Sequence, residues 1–243
     1  MSENEGYKMS EITKKVLFSE VDAELNMNMS GLINSMQDCI NKQTEEIDRG
    51  SAFLKSHNRA WFTVSWNIEV KRLPKLSEEI TVKTWAYGFS VVTGERNVII
   101  TDTDGNDIVC ADSHWGYMDV ESQRPAKITD EDVEGYVIGE KYPMEKVSRK
   151  IKLPENFDYV EDIWVRKEDL DFNNHMSNGR YIINAYEYIP EGKVKRIRVD
   201  YKKQCKYKDE LQVYINHTDN EYIIKFTGKE DGEDRAVVLF EIE

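Results

Sequence analysis

Three residue types capable of acid–base or nucleophilic chemistry stand at alternate positions: Asp171, Asn173 and His175. In an extended segment alternate side chains point to the same side, so the spacing predicts that all three face one pocket. The carboxylate offers a general base or nucleophile, the amide a positioning donor, and the imidazole a second base or donor. A helix is expected to start just after them. Its first backbone N–H groups, near Ser177 to Arg180, are placed to hold a developing oxyanion. The competing reading is a capped loop in which Asp171 and Asn173 only satisfy backbone groups. Gln204 and Cys205 are expected at the end of a later alternating strand. Cys205 with His175 and Asn173 would form a thiol–imidazole–amide set, the layout of a cysteine nucleophile. Against that stands the commoner fate of a lone cysteine, a buried structural thiol.

Other chemistries find less support. His57, His114 and His217 read as structural or surface residues, and the four histidines have no HExxH or HxH spacing, so no metal site and no cofactor is expected. There is no GxGxxG, no P-loop and no GxSxG, which removes nucleotide binding and a serine-hydrolase elbow. The cysteines, Cys39, Cys110 and Cys205, are far apart and form no CxxC pair; reduced thiols are expected.

The elements that must position these residues fall into two similar runs. The first opens with a helix carrying Leu32, Ile33, Met36, Ile40 and Ile47, with Ser30 as expected cap and Gly50 as expected stop. Four strands follow, at Trp61 to Lys71, Glu79–Tyr87, Val91–Thr101 and Asp107–Val120; Asp104-Gly105 marks a hairpin between the last two. The second run repeats the order. A helix is expected over Asn178 to Ile189. Four strands then carry Ile197/Val199/Tyr201, Leu211/Val213/Ile215, Tyr222/Ile224/Phe226 and Val238/Phe240/Ile242, with a second hairpin at Asp231-Gly232. Between the runs, Arg124 to Phe157 is charged and proline-punctuated, with a short helix expected near residues 130–135. Sequential antiparallel strands beside a helix give an α+β fold. The predicted organisation is a first domain at 1–135, a linker at 136–157 and a second domain at 158–243. Without gaps, Asp22-Ala23-Glu24-Leu25-Asn26-Met27 lies over Asp171-Phe172-Asn173-Asn174-His175-Met176. That is the pattern of an internal duplication in which the second copy alone keeps a histidine.

The 243 residues carry a net charge of −13, a poor balance for non-specific nucleic-acid binding. The hydrophobic share of 40% suits a packed core rather than disorder. No apolar run approaches the roughly 18 residues of a membrane span, and Met1 to Lys15 has no apolar signal region, so a cytoplasmic protein is expected. Lys193 to Lys208 holds eight cations, Lys193, Lys195, Arg196, Arg198, Lys202, Lys203, Lys206 and Lys208, against the single acid Asp200. It reads either as a solvated strand face or as a dock for an acidic partner.

The segment Arg166-Lys167-Glu168-Asp169-Leu170-Asp171-Phe172-Asn173-Asn174-His175-Met176-Ser177-Asn178-Gly179-Arg180-Tyr181-Ile182 resembles the signature of acyl-acyl carrier protein thioesterases. Val199-Asp200-Tyr201-Lys202-Lys203-Gln204-Cys205 resembles a second motif of that family. The first run adds the Trp66–Lys71 strand, Trp85 and Ala111-Asp112-Ser113-His114-Trp115. The resemblance implies a tandem (double) hotdog, each unit a curved antiparallel sheet wrapped around a long helix. It implies hydrolysis of fatty acyl thioesters on acyl carrier protein. The mechanism then expected holds the acyl chain in the first unit and docks the acidic carrier near the basic run Lys193–Lys208. Asp171, Asn173 and His175 become the catalytic set, and Cys205 matches the family's cysteine. The family usually has glutamate where this chain has Gln204, and an amide cannot act as a base near neutral pH. The burden then shifts to Asp171 with His175, Gln204 orienting water or substrate. Water, Asp171 and Cys205 all stay open as the attacking group. The alternatives are an acyl-CoA thioesterase, a hotdog dehydratase and a non-catalytic acyl-binding module. Two hotdog units in one chain already supply the usual dimer internally; a homodimer of the chain, and the acyl chain length, are not fixed by the sequence.

Overall fold

Wherever apolar and polar residues alternate strongly, the chain is extended and paired. The computed structural model describes residues 9–243. Contacts group them into two units: the described residues up to Thr63 with Arg72–Glu145, and Val64–Lys71 with Lys146–Glu243. The division is not a single cut at the linker, because the second half of one strand belongs with the later unit.

The first unit contains β1 (Ser10–Lys15), α1 (Met29–Glu46), α2 (Ser51–Ser56), the start of β2 (Arg59–Val70), β3 (Glu79–Phe89), β4 (Thr93–Thr101), β5 (Asp107–Asp119) and the two-residue β6 (Arg124–Pro125). Strands β1, β3, β4 and β5 are neighbours in that order, all antiparallel. The β4–β5 turn takes Gly105 to φ +81°, a conformation glycine adopts without a Cβ clash. Asn28, not Ser30, caps α1, its side chain accepting the Gly31 N–H at 2.8 Å. The buried stripe of α1, Leu32, Ile33, Met36, Cys39 and Ile40, packs toward β1 and β3. Each large apolar side chain so buried contributes about 1.5–3 kcal/mol. Cys39 Sγ donates to Val82 O at 3.3 Å, and burial pushes its thiol up to about 11. Gly50 caps α2 rather than stopping α1, which ends at Glu46.

The second unit contains β7 (Asp158–Trp164), α3 (Asn178–Tyr186), β8 (Val194–Tyr201), β9 (Glu210–His217), β10 (Glu221–Gly228) and β11 (Asp234–Ile242). The order is β8-β11-β10-β9-β7, and Val64–Lys71 of β2 pairs with β8, setting Trp66 opposite Val199 and Ile68 opposite Ile197. The helix α3 is shorter than predicted. It ends at Tyr186 because the chain tightens into i→i+3 turns, Tyr188 N–H to Ala185 O at 3.1 Å, before Pro190. Strands β1 and β7 have no apolar alternation to announce them.

The charged segment between the two runs, Arg124 to Phe157, holds no long element, only β6 and a helical turn at Glu131–Val133, but it is pinned. Trp85 Nε1 donates to Glu140 O at 2.8 Å, and Tyr142 N to Asn97 Oδ1 at 2.9 Å. Tyr142 and Met144 cover Trp85, Ile99 and Cys110. Further on, Ile151 and Phe157 pack with Ile223, Val237 and Leu239 of the second unit. Among the described residues no helix is long and apolar enough to cross a membrane.

Candidate active site

The loop carrying the predicted chemistry is built by its own backbone. A helical turn at Lys167–Asp169 opens it, and Asp169 Oδ2 accepts the Arg166 N–H at 2.8 Å. Asp171 Oδ1 then accepts two amides, from Asn173 at 2.8 Å and His175 at 3.2 Å. Asp171 N donates to His175 O at 2.8 Å and closes the turn. Asn174 sits at φ +59°, which asparagine tolerates better than most residues. The capped-loop reading therefore holds for Asp171 Oδ1. Its Oδ2 has no hydrogen-bond partner among the described residues, which leaves one carboxylate oxygen for chemistry.

His175 is half-buried. Its Nδ1 is buried with no hydrogen-bond partner among the described residues, an arrangement that costs free energy and calls for an explanation. The His175 backbone forms an antiparallel bridge with Lys206, and Met176 N donates to Cys205 O at 2.8 Å. Alternation across this bridge puts His175, Lys206 and the half-buried Gln204 on one side. Met176 and Cys205 fall on the other, at 4% and 0% exposure. Asn173 is exposed at the tip of the loop, beside Phe172 at 72% exposure.

Three expectations need correction. Gln204 and Cys205 do not end a strand: β8 stops at Tyr201, since the N–H groups of Lys202 and Lys203 both turn to Arg235 O, at 2.8 and 3.2 Å. The Cys205 thiol is not brought to the imidazole. It points into the core beside Tyr181 and Arg235, and burial pushes it above the usual thiol range, away from the reactive thiolate. Of the N–H groups near the start of α3, that of Ser177 is bonded to Asp169 O at 2.8 Å and that of Arg180 to Ser177 O at 2.9 Å. The polar residues Tyr181 and Arg235 around the thiol escaped sequence reasoning, because Tyr181 fits the apolar face of a helix and Arg235 an ordinary turn.

The duplication is visible bond by bond. Asp22 Oδ1 accepts the amides of Glu24 at 2.9 Å and Asn26 at 3.0 Å. Asp22 N donates to Asn26 O at 2.9 Å, and Leu25 takes φ +64°. Met27 N donates to Pro74 O at 2.7 Å, and Asn26 bridges Lys75 as His175 bridges Lys206. The first unit thus holds the same loop with Glu24 for Asn173, Asn26 for His175, Leu73 for Gln204 and Pro74 for Cys205. The carboxylate of the turn is common to both copies; the imidazole is not.

Two family models match the chain: the acyl-ACP thioesterase N-terminal domain over residues 8–136 and the C-terminal domain over residues 154–240. The chain belongs to the acyl-ACP thioesterase family. A solved acyl-ACP thioesterase from Bacteroides thetaiotaomicron superposes with a TM-score of 0.86 at 24% identity, covering 97% of this chain and 98% of that one. The 12:0-ACP thioesterase from Umbellularia californica gives 0.87 at 17% identity over 97% of each chain. These likenesses show the fold, a tandem hotdog. The chloroplastic oleoyl-acyl carrier protein thioesterase 2 of Arabidopsis thaliana is 27% identical over 185 residues, 69% of this chain and 50% of that protein. This member of the family therefore spans about half the length of the curated relatives it matches.

Proposed function

We propose that this protein hydrolyses fatty acyl thioesters of acyl carrier protein and so ends chain elongation in fatty acid biosynthesis; it would be an acyl-[acyl-carrier-protein] hydrolase. The observation that carries the reading is His175. It stands with an unpartnered buried Nδ1 on a loop whose twin, complete in every backbone bond, has asparagine there. In the proposed step, Asp171 Oδ2 and His175 take a proton from water. The water oxygen bonds to the thioester carbonyl carbon, the C–S bond breaks, the thiol leaves with the proton first taken from water, and the acid releases its remaining hydroxyl proton to solvent and departs as carboxylate. Asn173 at the loop tip and Gln204 beside His175 orient carbonyl and water. Cys205 in this reading is structural, because a buried protonated thiol is a weak nucleophile.

The carrier is proposed to dock within the basic run, on a narrower part of it. Lys193 and Lys195 pair with Glu243 at 2.9 and 3.3 Å, Arg196 with Glu241 at 3.2 Å, Lys202 with Asp200, and Lys203 with Asp231 at 2.8 Å. Arg198 is taken up by backbone carbonyls, those of Ser148 and Lys150. Lys206 and Lys208, flanking the exposed Tyr207, have no carboxylate partner among the described residues, and are the lysines left for an acidic partner. The relatives' names span oleoyl, palmitoyl and 12:0, so no chain length is proposed.

The test compares one acyl group on carrier protein and on coenzyme A, measuring thiol release by native protein and by His175→Ala. Faster release from the carrier substrate, lost in His175→Ala with the melting temperature retained, supports the reading. Faster release from coenzyme A, or turnover unchanged by the substitution, refutes it.

A further inference from the structure

The twin loop serves as an internal control for the core beneath the site. The equivalences extend past the loop: Lys208 N donates to Val165 O at 3.0 Å as Ser77 N does to Val16 O at 2.9 Å. Lys203 N reaches Arg235 O as Arg72 N reaches Ile108 O, at 3.2 and 3.4 Å. Lys203 pairs with Asp231 at 2.8 Å as Arg72 pairs with Asp102 at 2.9 Å. In register, Leu32, Pro74 and Ile108 of the first unit correspond to Tyr181, Cys205 and Arg235 of the second. All six are buried, Leu32 at 0% and Ile108 at 3% exposure against Tyr181 at 2%, Cys205 at 0% and Arg235 at 7%. Three apolar residues suffice for this fold, and the copy with the histidine replaces every one with a polar group.

The replacement is costly on its face. Among the described residues the Tyr181 hydroxyl and Arg235 Nε are buried without a well-formed hydrogen bond; the neighbouring Cys205 thiol is a weak partner, and burying an incompletely paired polar group disfavours the folded state. The cluster is also built. Arg235 Nη2 grips both oxygens of Asp231 at 2.8 Å. A Cβ at Gly228 would collide with the guanidinium, so a glycine keeps its berth open. Tyr181 and Arg235 both reach the Cys205 thiol, and Cys205 is the residue whose carbonyl holds Met176 N, next to His175.

We infer that Tyr181 and Arg235 are positioning residues: through Cys205 they fix the Gln204–Lys206 segment from below, and that segment sets the imidazole of His175 and the amide of Gln204 in place. The inference rests on the thioesterase reading above. Positional looseness near 1 Å costs on the order of 100-fold in rate, so a polar cluster that removes it is worth retaining despite its burial.

The test uses the full chain with Tyr181→Phe, which removes only the hydroxyl, and Arg235→Ile, which installs the first unit's residue, with Arg235→Lys as rescue. Thiol release from acyl carrier protein, thermal melting and the imidazole NMR signals of His175 are read on each. Tyr181→Phe and Arg235→Ile are expected to lower kcat roughly 10- to 100-fold with KM little changed and to move the His175 signals; melting temperature stays in Tyr181→Phe but falls in Arg235→Ile, which breaks the Asp231 pair, and Arg235→Lys partly restores the kcat lost in Arg235→Ile. Unchanged kcat and unmoved His175 signals in Tyr181→Phe overturn the inference. So does a loss of kcat in Tyr181→Phe that merely follows a loss of melting temperature. If native protein releases no thiol, the thioesterase reading fails by itself, and the His175 signals alone decide the positioning role.

Discussion

The two copies of the loop allow the structural and chemical duties of one carboxylate to be separated. Asp171→Ala removes the acceptor of two backbone amides, at 2.8 and 3.2 Å; Asp22→Ala removes the same pair, at 2.9 and 3.0 Å. Loss of such a capping carboxylate costs about 0.5–2 kcal/mol. Asp22 is exposed and Asp171 half-buried, so Asp22→Ala belongs at the lower end and Asp171→Ala at the upper. For a chain of this size that is about 2–4 °C in melting temperature per kcal/mol. Asparagine keeps Oδ1 as acceptor and tolerates the turn, so Asp171→Asn and Asp22→Asn should each cost less than the matching alanine variant. Activity should part company with stability. Asp171→Asn abolishes the free basic Oδ2 and is expected to lower thiol release at least about 100-fold, the usual scale of a lost general base. Asp22→Asn should leave release unchanged. The measurements are thermal melting of the four variants and thiol release from acyl carrier protein below their melting range. If Asp171→Asn keeps turnover within about threefold, the carboxylate only shapes the turn and its place in the proposed step is wrong. If Asp22→Ala and Asp171→Ala differ by much more than their exposure accounts for, the two loops are not the same device.

Three further outcomes are expected. Gln204→Glu adds a carboxylate on the side of His175 and should raise kcat several-fold in steady-state assays near neutral pH; a fall in kcat would mean that the amide itself orients the substrate. Asp231 is held well below the ordinary carboxyl value of 3.8 by Arg235, then Lys203 and the Glu233 N–H. Its contribution to stability is full above that value and lost as pH falls below it, so urea midpoints below pH 4 should drop more steeply in native protein than in Asp231→Asn. Gly228→Ala pushes the Arg235 guanidinium off Asp231 and should destabilise by about 1–3 kcal/mol, with kcat falling alongside, as melting curves and assays on one preparation will show.

The parts of the fold that were legible are those where side chains carry the signal. Phe62, Val64, Trp66, Ile68 and Val70 alternate, and β2 runs through them. Gly105 and Gly232 mark hairpins and indeed take positive φ. Strand β7 was illegible because its burial is slight along its whole length; it is a strand only because β9 offers it a free edge. The loop's chemistry was legible as residue types, and the repeat of element order disclosed the duplication. The burial of Cys205 was not, since nothing local says which way a bridge of one residue pair turns its side chains. Arg235 carries no local mark at all; it stands out only when Ile108 is set beside it.

The division of β2 bears on how the chain is made. Arg196, which donates to Asn67 Oδ1 from the neighbouring strand, is 129 residues further along the chain. At synthesis rates of about 5–20 residues per second, Val64–Lys71 waits on the order of ten seconds for its partner strand to leave the ribosome. During that interval the edge of β2 that β8 will take stands open along Trp66, Ile68 and Val70, the kind of edge that invites pairing with another chain. The later unit, expressed alone from residue 146, would lack the strand that β8 pairs with, and should associate or precipitate until a peptide spanning residues 64–71 is supplied.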